Sequence, residues 1–174
     1  MHQRLKGSPG IYLAGFMGCG KSTVGRLLAE RLGWTFVDLD AEIELAAGKP
    51  IQRIFDEDGE PAFREQEARA TAGQACAARG GRPRVVALGG GTYALEANRQ
   101  RLRDAGLTIW LDAPVDALWE RVRVETERPL ARDEARFRAL YDERRPAYAE
   151  ADYRIEADRP PREVVEAILA LEIR

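Results

Sequence analysis

The chain has 174 residues, with 27 basic and 29 acidic side chains and a formal net charge of −2. That length suits one domain with a real core, and the near-neutral balance argues against nucleic acid, which asks for a concentrated basic face. Two cysteines (Cys19 and Cys76) and one histidine (His2, in a tail) exclude a disulfide framework, a zinc site and a histidine base. No apolar run reaches the ~18 residues that span a bilayer, and MHQRLKGSPG lacks a signal-peptide core, so a cytoplasmic protein without a membrane partner is expected.

Short apolar runs alternate with longer helical patterns. IYLAG (11–15) predicts a buried strand, and KSTVGRLLAERLG a helix with faces set by Val24, Leu27, Leu28, Arg31 and Leu32 and a stop at Gly33. TFVDLD (35–40) predicts a second strand ending in carboxylates. Residues 41–79 predict helix, broken at GKP (48–50) and near DGEP (58–61). VVALGGG (85–91) reads as a third strand running into glycines, EANRQRLRDAG as helix, LTIWLDA (107–113) as a fourth strand, and PVDALWERVRV as a helix with proline at its start. A polar, arginine-rich stretch, ETERPLARDEA, precedes a helix to about Glu150; YRIEA (153–157) is a short last strand, and PPREVVEAILALEI an amphipathic closing helix. The alternation predicts an α/β fold with a five-stranded parallel sheet and helices on both faces, in one domain. Two segments interrupt it, the helical insertion 41–79 and the polar stretch near 125–135, and such insertions commonly carry substrate contacts or lids.

The strongest motif is G-x-x-x-x-G-K-S: Gly15, Gly20, Lys21 and Ser22, inside GFMGCGKST between a strand and a helix. Glycines let successive N–H groups turn inward onto phosphate oxygens, and the following helix adds partial positive charge. Lys21 can reach the β- and γ-phosphates and the Ser22 hydroxyl can ligate Mg²⁺, so the stretch, with Gly18, Cys19 and Thr23, reads as an ATP cradle. Cys19 contributes only backbone there.

On a strand through residue 40, Asp38 and Asp40 share one face at its carboxyl end, beside the loop. One can hold a metal through water, and the other can bind or deprotonate an acceptor hydroxyl; the alternative is a solvated strand end with Asp40 capping the next helix. The third strand ends on Gly89, Gly90 and Gly91 rather than an acid, which favours Asp38 for the metal; the triplet allows close backbone approach to a small ligand, or is merely a flexible turn. Arg64, in EPAFREQE, can grip a carboxylate with its fork, or be a solvated arginine among Glu60, Glu65 and Glu67.

Taken together and in this order, these segments resemble the shikimate kinase family from about residue 11 to 171: GFMGCGKST its phosphate loop, FVDLDAEIE its strand with two aspartates, IFDEDGEPAFREQE its substrate arm, VVALGGG its glycine triplet, ERPL its lid and ERRPAYAEAD its late arginine motif. The loop alone is shared by many enzymes; the combination is more specific. The resemblance implies a nucleoside-monophosphate-kinase-like monomer that phosphorylates the 3-hydroxyl of shikimate in aromatic amino-acid synthesis. Asp40, Arg64, the triplet and Arg144 would bind shikimate, the two arginines on its carboxylate, with Asp40 the candidate base. Ser22 and Asp38 would serve Mg²⁺, Arg128 would close with the lid onto the ATP phosphates beside Lys21, and Arg159 would pack against adenine. The segment between Arg128 and Arg144 is short for the family, and Arg145 competes with Arg144 for the late position. Gluconate and nucleoside-monophosphate kinases share loop and lid but do not call for the Asp40, Arg64, Gly90 and Arg144 set; a GTPase switch would carry N-K-x-D, which this chain lacks.

Overall fold

The computed structural model describes residues 10–124 and 133–171. Arg128 and residues 125–132 of the expected lid lie outside them, as does His2.

Five strands form one parallel sheet in the order β2-β3-β1-β4-β5: β1 Gly10–Ala14, β2 Thr35–Asp38, β3 Arg84–Ala87, β4 Leu107–Asp112 and β5 Tyr153–Glu156. Every residue of β1 and of β3 is buried, as expected where helices cover both faces of a parallel sheet. Helices α1 (Lys21–Leu32) and α8 (Pro161–Leu169) pack together, as do α4 (Glu60–Arg79) and α5 (Glu96–Arg103). The insertion folds as α2 (Leu39–Ala47), α3 (Ile51–Asp58) and α4; α6 is Val115–Val122 and α7 is Glu134–Tyr148. No helix among the described residues is long and apolar enough to cross a membrane.

Two strands are shorter than their patterns predict. The Asp38 carboxylate accepts the Ala41 N–H at 3.3 Å, which caps a helix starting at Leu39, so the chain leaves the sheet two residues before Asp40. Asp38 and Asp40 therefore do not share a strand face, and the capping residue is Asp38 rather than Asp40. Strand β3 stops at Ala87 because beyond Leu88, whose N–H still reaches the Leu13 carbonyl at 3.0 Å, the glycines turn away.

Register sets the site. Leu13 and Asp38 both pair with Ala87, so β1, β2 and β3 end at one level. The chain leaves β1 toward β2 on one side and β3 toward β4 on the other, and the crevice between strands that diverge in this way is where open α/β sheets take ligands.

Leu13 is fully buried in the strand that carries the phosphate loop. Leu13→Ala should lower the unfolding free energy by ~3 kcal/mol, as cavity-forming substitutions in a packed core do, measured by urea denaturation. A loss below ~1 kcal/mol would mean that this strand is not the centre of the core.

Candidate functional site

The loop after β1 bends through Gly18 (φ 84°) and Gly20 (φ 93°), in the left-handed region where a side chain is strained. Gly20 is the N-cap of α1 and no side chain caps that helix, so its first-turn N–H donors and its dipole face the crevice. Lys21 Nζ curls back over the loop and donates to the carbonyls of Gly15 at 2.7 Å and Phe16 at 3.2 Å. Ser22 Oγ donates to Asp38 Oδ2 at 2.7 Å, joining the two residues expected to serve a metal. Thr23 is exposed at the mouth. Cys19 is 2% exposed and its N–H donates to Phe16 O at 3.3 Å, so its donor is already engaged within the turn.

One cavity of about 1210 Å³ runs from this loop to the glycine triplet and is lined by Lys21, Ser22, Asp38, Asp40, Arg64 and Arg144 among others. None of the three glycines has a positive φ. A side chain at each would instead press on a neighbouring side chain, most tightly at Gly89. A Cβ on Gly89 would lie 2.5 Å from Asp40 Oδ1, one on Gly90 would lie 3.0 Å from Arg144 Nη1, and one on Gly91 would lie 3.0 Å from Arg64 Nη1. Each glycine thus admits one of three functional side chains against the backbone. Arg144 and Arg64 come from opposite ends of the chain and meet at Gly91, where Arg144 Nη2 is 3.3 Å from the Cβ position. The neighbouring Arg145 turns elsewhere, onto Asp112 Oδ2 at 3.4 Å and over the Trp110 ring at 5.4 Å, which separates the two arginines the sequence left open.

The electrostatics of this end are unequal. Arg64 donates to Glu67 at 3.0 Å and to Glu60 at 3.2 Å; Glu67, 1% exposed, also accepts Thr92 Oγ1 at 2.7 Å. Arg144 lies over the Phe16 ring at 5.8 Å and forms no ion pair among the described residues. Burial pushes the Asp40 carboxyl up to about 6, with the charges of Asp38, Glu67 and Glu44 adding to the rise and Lys21 opposing it. A carboxylate so poised can accept a proton near neutrality.

A second hollow of about 320 Å³ lies on the far side of the loop, between α1 and the start of α8. Arg159 lines it, its Nε on the Glu156 carbonyl at 2.9 Å. So does Arg121, which sequence reading missed: it donates to the Gly18 carbonyl at 3.1 Å and pairs with Asp158 at 2.8 Å, bracing the loop. Nothing in ERVRV distinguishes Arg121 from Arg123, which pairs with Glu120 on the surface. Glu67 was missed as well, since burial alone sets it apart from the other acids of EPAFREQE.

A family model described as Shikimate kinase matches residues 17–172. The chain belongs to the shikimate kinase family. A shikimate kinase of Persephonella marina is 44% identical over 161 residues, covering 91% of this chain and 96% of the relative. One from Pseudomonas putida strain F1 is 47% identical over 164 residues, covering 91% and 93%. The solved structure of Acinetobacter baumannii shikimate kinase in complex with shikimate matches with a TM-score of 0.86 and 36% identity, covering 97% of this chain and 95% of that one. The family is one of ATP-dependent small-molecule kinases, and the five-stranded parallel sheet is that of its solved members.

Asp40 in the folded protein titrates near 6, against 3.8 for the exposed side chain, so between those values the native state holds a proton that the unfolded chain has lost. Stability from this group therefore falls as pH rises through the window. The gain from Asp40→Asn at pH 8 should exceed its gain at pH 4.5 by on the order of 1–2 kcal/mol in urea denaturation. Equal gains at both values would show that the side chain is not buried as a charge.

Proposed function

We propose that this protein transfers the γ-phosphoryl group of ATP to the 3-hydroxyl of shikimate, giving shikimate 3-phosphate and ADP, as a cytoplasmic enzyme of aromatic amino-acid synthesis. The observation that carries this reading is the meeting of Arg64 and Arg144 at the glycine triplet, beside Asp40 and in one cavity with Lys21. Two convergent forks recognise a carboxylate, and a carboxyl of raised pKa beside a phosphate loop suits an alcohol acceptor.

The phosphate chain lies on the loop N–H groups and the start of α1, and Lys21 transfers its donors from the Gly15 and Phe16 carbonyls to phosphate oxygens. Arg64 and Arg144 hold the acid so that its 3-hydroxyl faces Asp40. As the hydroxyl oxygen, oriented by Asp40, bonds to the γ-phosphorus, the bond to the ADP oxygen breaks and the hydroxyl proton passes to the Asp40 carboxylate. Ser22 and Asp38, joined at 2.7 Å, offer hard oxygen donors that would hold Mg²⁺, Asp38 through water, and the ion would supply neutralisation of phosphate charge. Arg128 completes the reading as the lid cation, and Arg159, with Arg121, forms the purine end.

ATP consumption should depend on shikimate and be negligible with gluconate or nucleoside monophosphates, with the product identified by mass. Turnover with another acceptor and none with shikimate would overturn the reading. Lys21→Ala should lower kcat by roughly a hundredfold or more while leaving the thermal transition in place; near-wild-type turnover would remove Lys21 from phosphate binding. Arg64→Lys keeps a cation for Glu67 but loses the fork, and should raise the shikimate KM about tenfold with the ATP KM within about twofold. Equal shifts would take Arg64 out of the acceptor site.

A further inference from the structure

Tyr148 lies four residues beyond Arg144 on α7, so the two side chains share a helix face. Its ring is 1% exposed, and its Oη donates to the Gly90 carbonyl at 2.5 Å, joining the last turn of α7 to the middle glycine of the triplet. Burial pushes the phenol's pKa up, so the hydroxyl stays neutral, and the nearby charge of Arg144 opposes that rise. A neutral phenol has one proton to give and lone pairs to offer. The proton goes to the Gly90 carbonyl, and Arg144 Nη1 lies 3.0 Å from the Gly90 Cβ position. Hydroxyl and guanidinium thus meet the same glycine from two sides. Arg144 has no carboxylate to hold its rotamer among the described residues, unlike Arg64 with its two.

We propose that Tyr148 is a positioning residue for the acceptor's carboxylate: its hydroxyl pins the Gly90 carbonyl and sets the fork of Arg144 against the triplet. The proposal rests on the reading of Arg144 as an acceptor-binding group. An arginine long enough to sample several rotamers binds a carboxylate less well when it must be ordered first. A hydroxyl that only completes the core would affect stability and leave acceptor affinity unchanged.

Tyr148→Phe keeps the ring and removes one oxygen. It should raise the shikimate KM about tenfold, with kcat and the ATP KM within about twofold. Tyr141→Phe is the matched control, since its buried hydroxyl, on the same helix, donates to the Ala113 carbonyl at 3.1 Å, away from the triplet; it should leave the shikimate KM unchanged. In an Arg144→Lys background Tyr148→Phe should raise the KM less than about threefold, because coupled residues are not additive. An unchanged shikimate KM in Tyr148→Phe, an equal rise for both substrates, or the same tenfold rise in both backgrounds would overturn the proposal. Wild-type turnover of shikimate, measured alongside, tests the acceptor reading separately.

Discussion

Three consecutive residues without side chains let three side chains from elsewhere occupy their space. Asp40 stands against Gly89, Arg144 against Gly90 and Arg64 against Gly91, each within 3.0 Å of where a Cβ would be. None of the three backbones needs the conformational freedom of glycine, so what the small residues provide is close approach, tightest at Gly89. It couples regions far apart in the chain: the start of α2, the first turns of α4, the last turns of α7 and the end of β3 must all arrive at one place. The parallel sheet makes that possible by ending β1, β2 and β3 at one level, with the loop after β1 facing the triplet across the crevice.

Around that point the charges are divided by role. Arg64 is neutralised in advance by Glu67 and Glu60, and Glu67 is itself held by Thr92, so this fork is fixed in place with much of its charge offset. Arg144 has no carboxylate partner among the described residues and lies over the face of Phe16. On the proposed reading of the two arginines, a bound acid would take position from Arg64 and most of its Coulomb attraction from Arg144. Asp40 experiences the opposite environment, where burial and three nearby carboxylates outweigh Lys21. The cavity thus gathers five basic side chains, Lys21, Arg64, Arg121, Arg136 and Arg144, against four acids, Asp38, Asp40, Glu44 and Glu67, a concentration that the near-neutral chain as a whole gives no hint of.

The phosphate loop and the order of strands and helices were legible because both are local: glycine spacing marks one, and short apolar runs between 3.6-residue patterns mark the other. The end of β2 was not. TFVDLD alternates like a strand, but Leu39, Ile43 and Ala47 recur at helical spacing, and the capping bond from Ala41 to Asp38 decides for the helix. Sequence spacing to Pro146 and Tyr148 favoured Arg144 over Arg145, and one residue of helix rotation sends the first to the triplet and the second to Asp112. Arg121, Glu67 and Tyr148 share the same reason for being missed. Their roles lie in contacts across 103, 25 and 58 residues of chain, which no local pattern records.

Lys21 satisfies its own ammonium with two carbonyls of the loop it belongs to. The ammonium keeps its full charge but spends two of its donors on the loop's own dipoles. A polyphosphate bound there would replace those carbonyl dipoles with charged oxygens, and its hold on the loop would grow with the number of oxygens that one ligand presents at once.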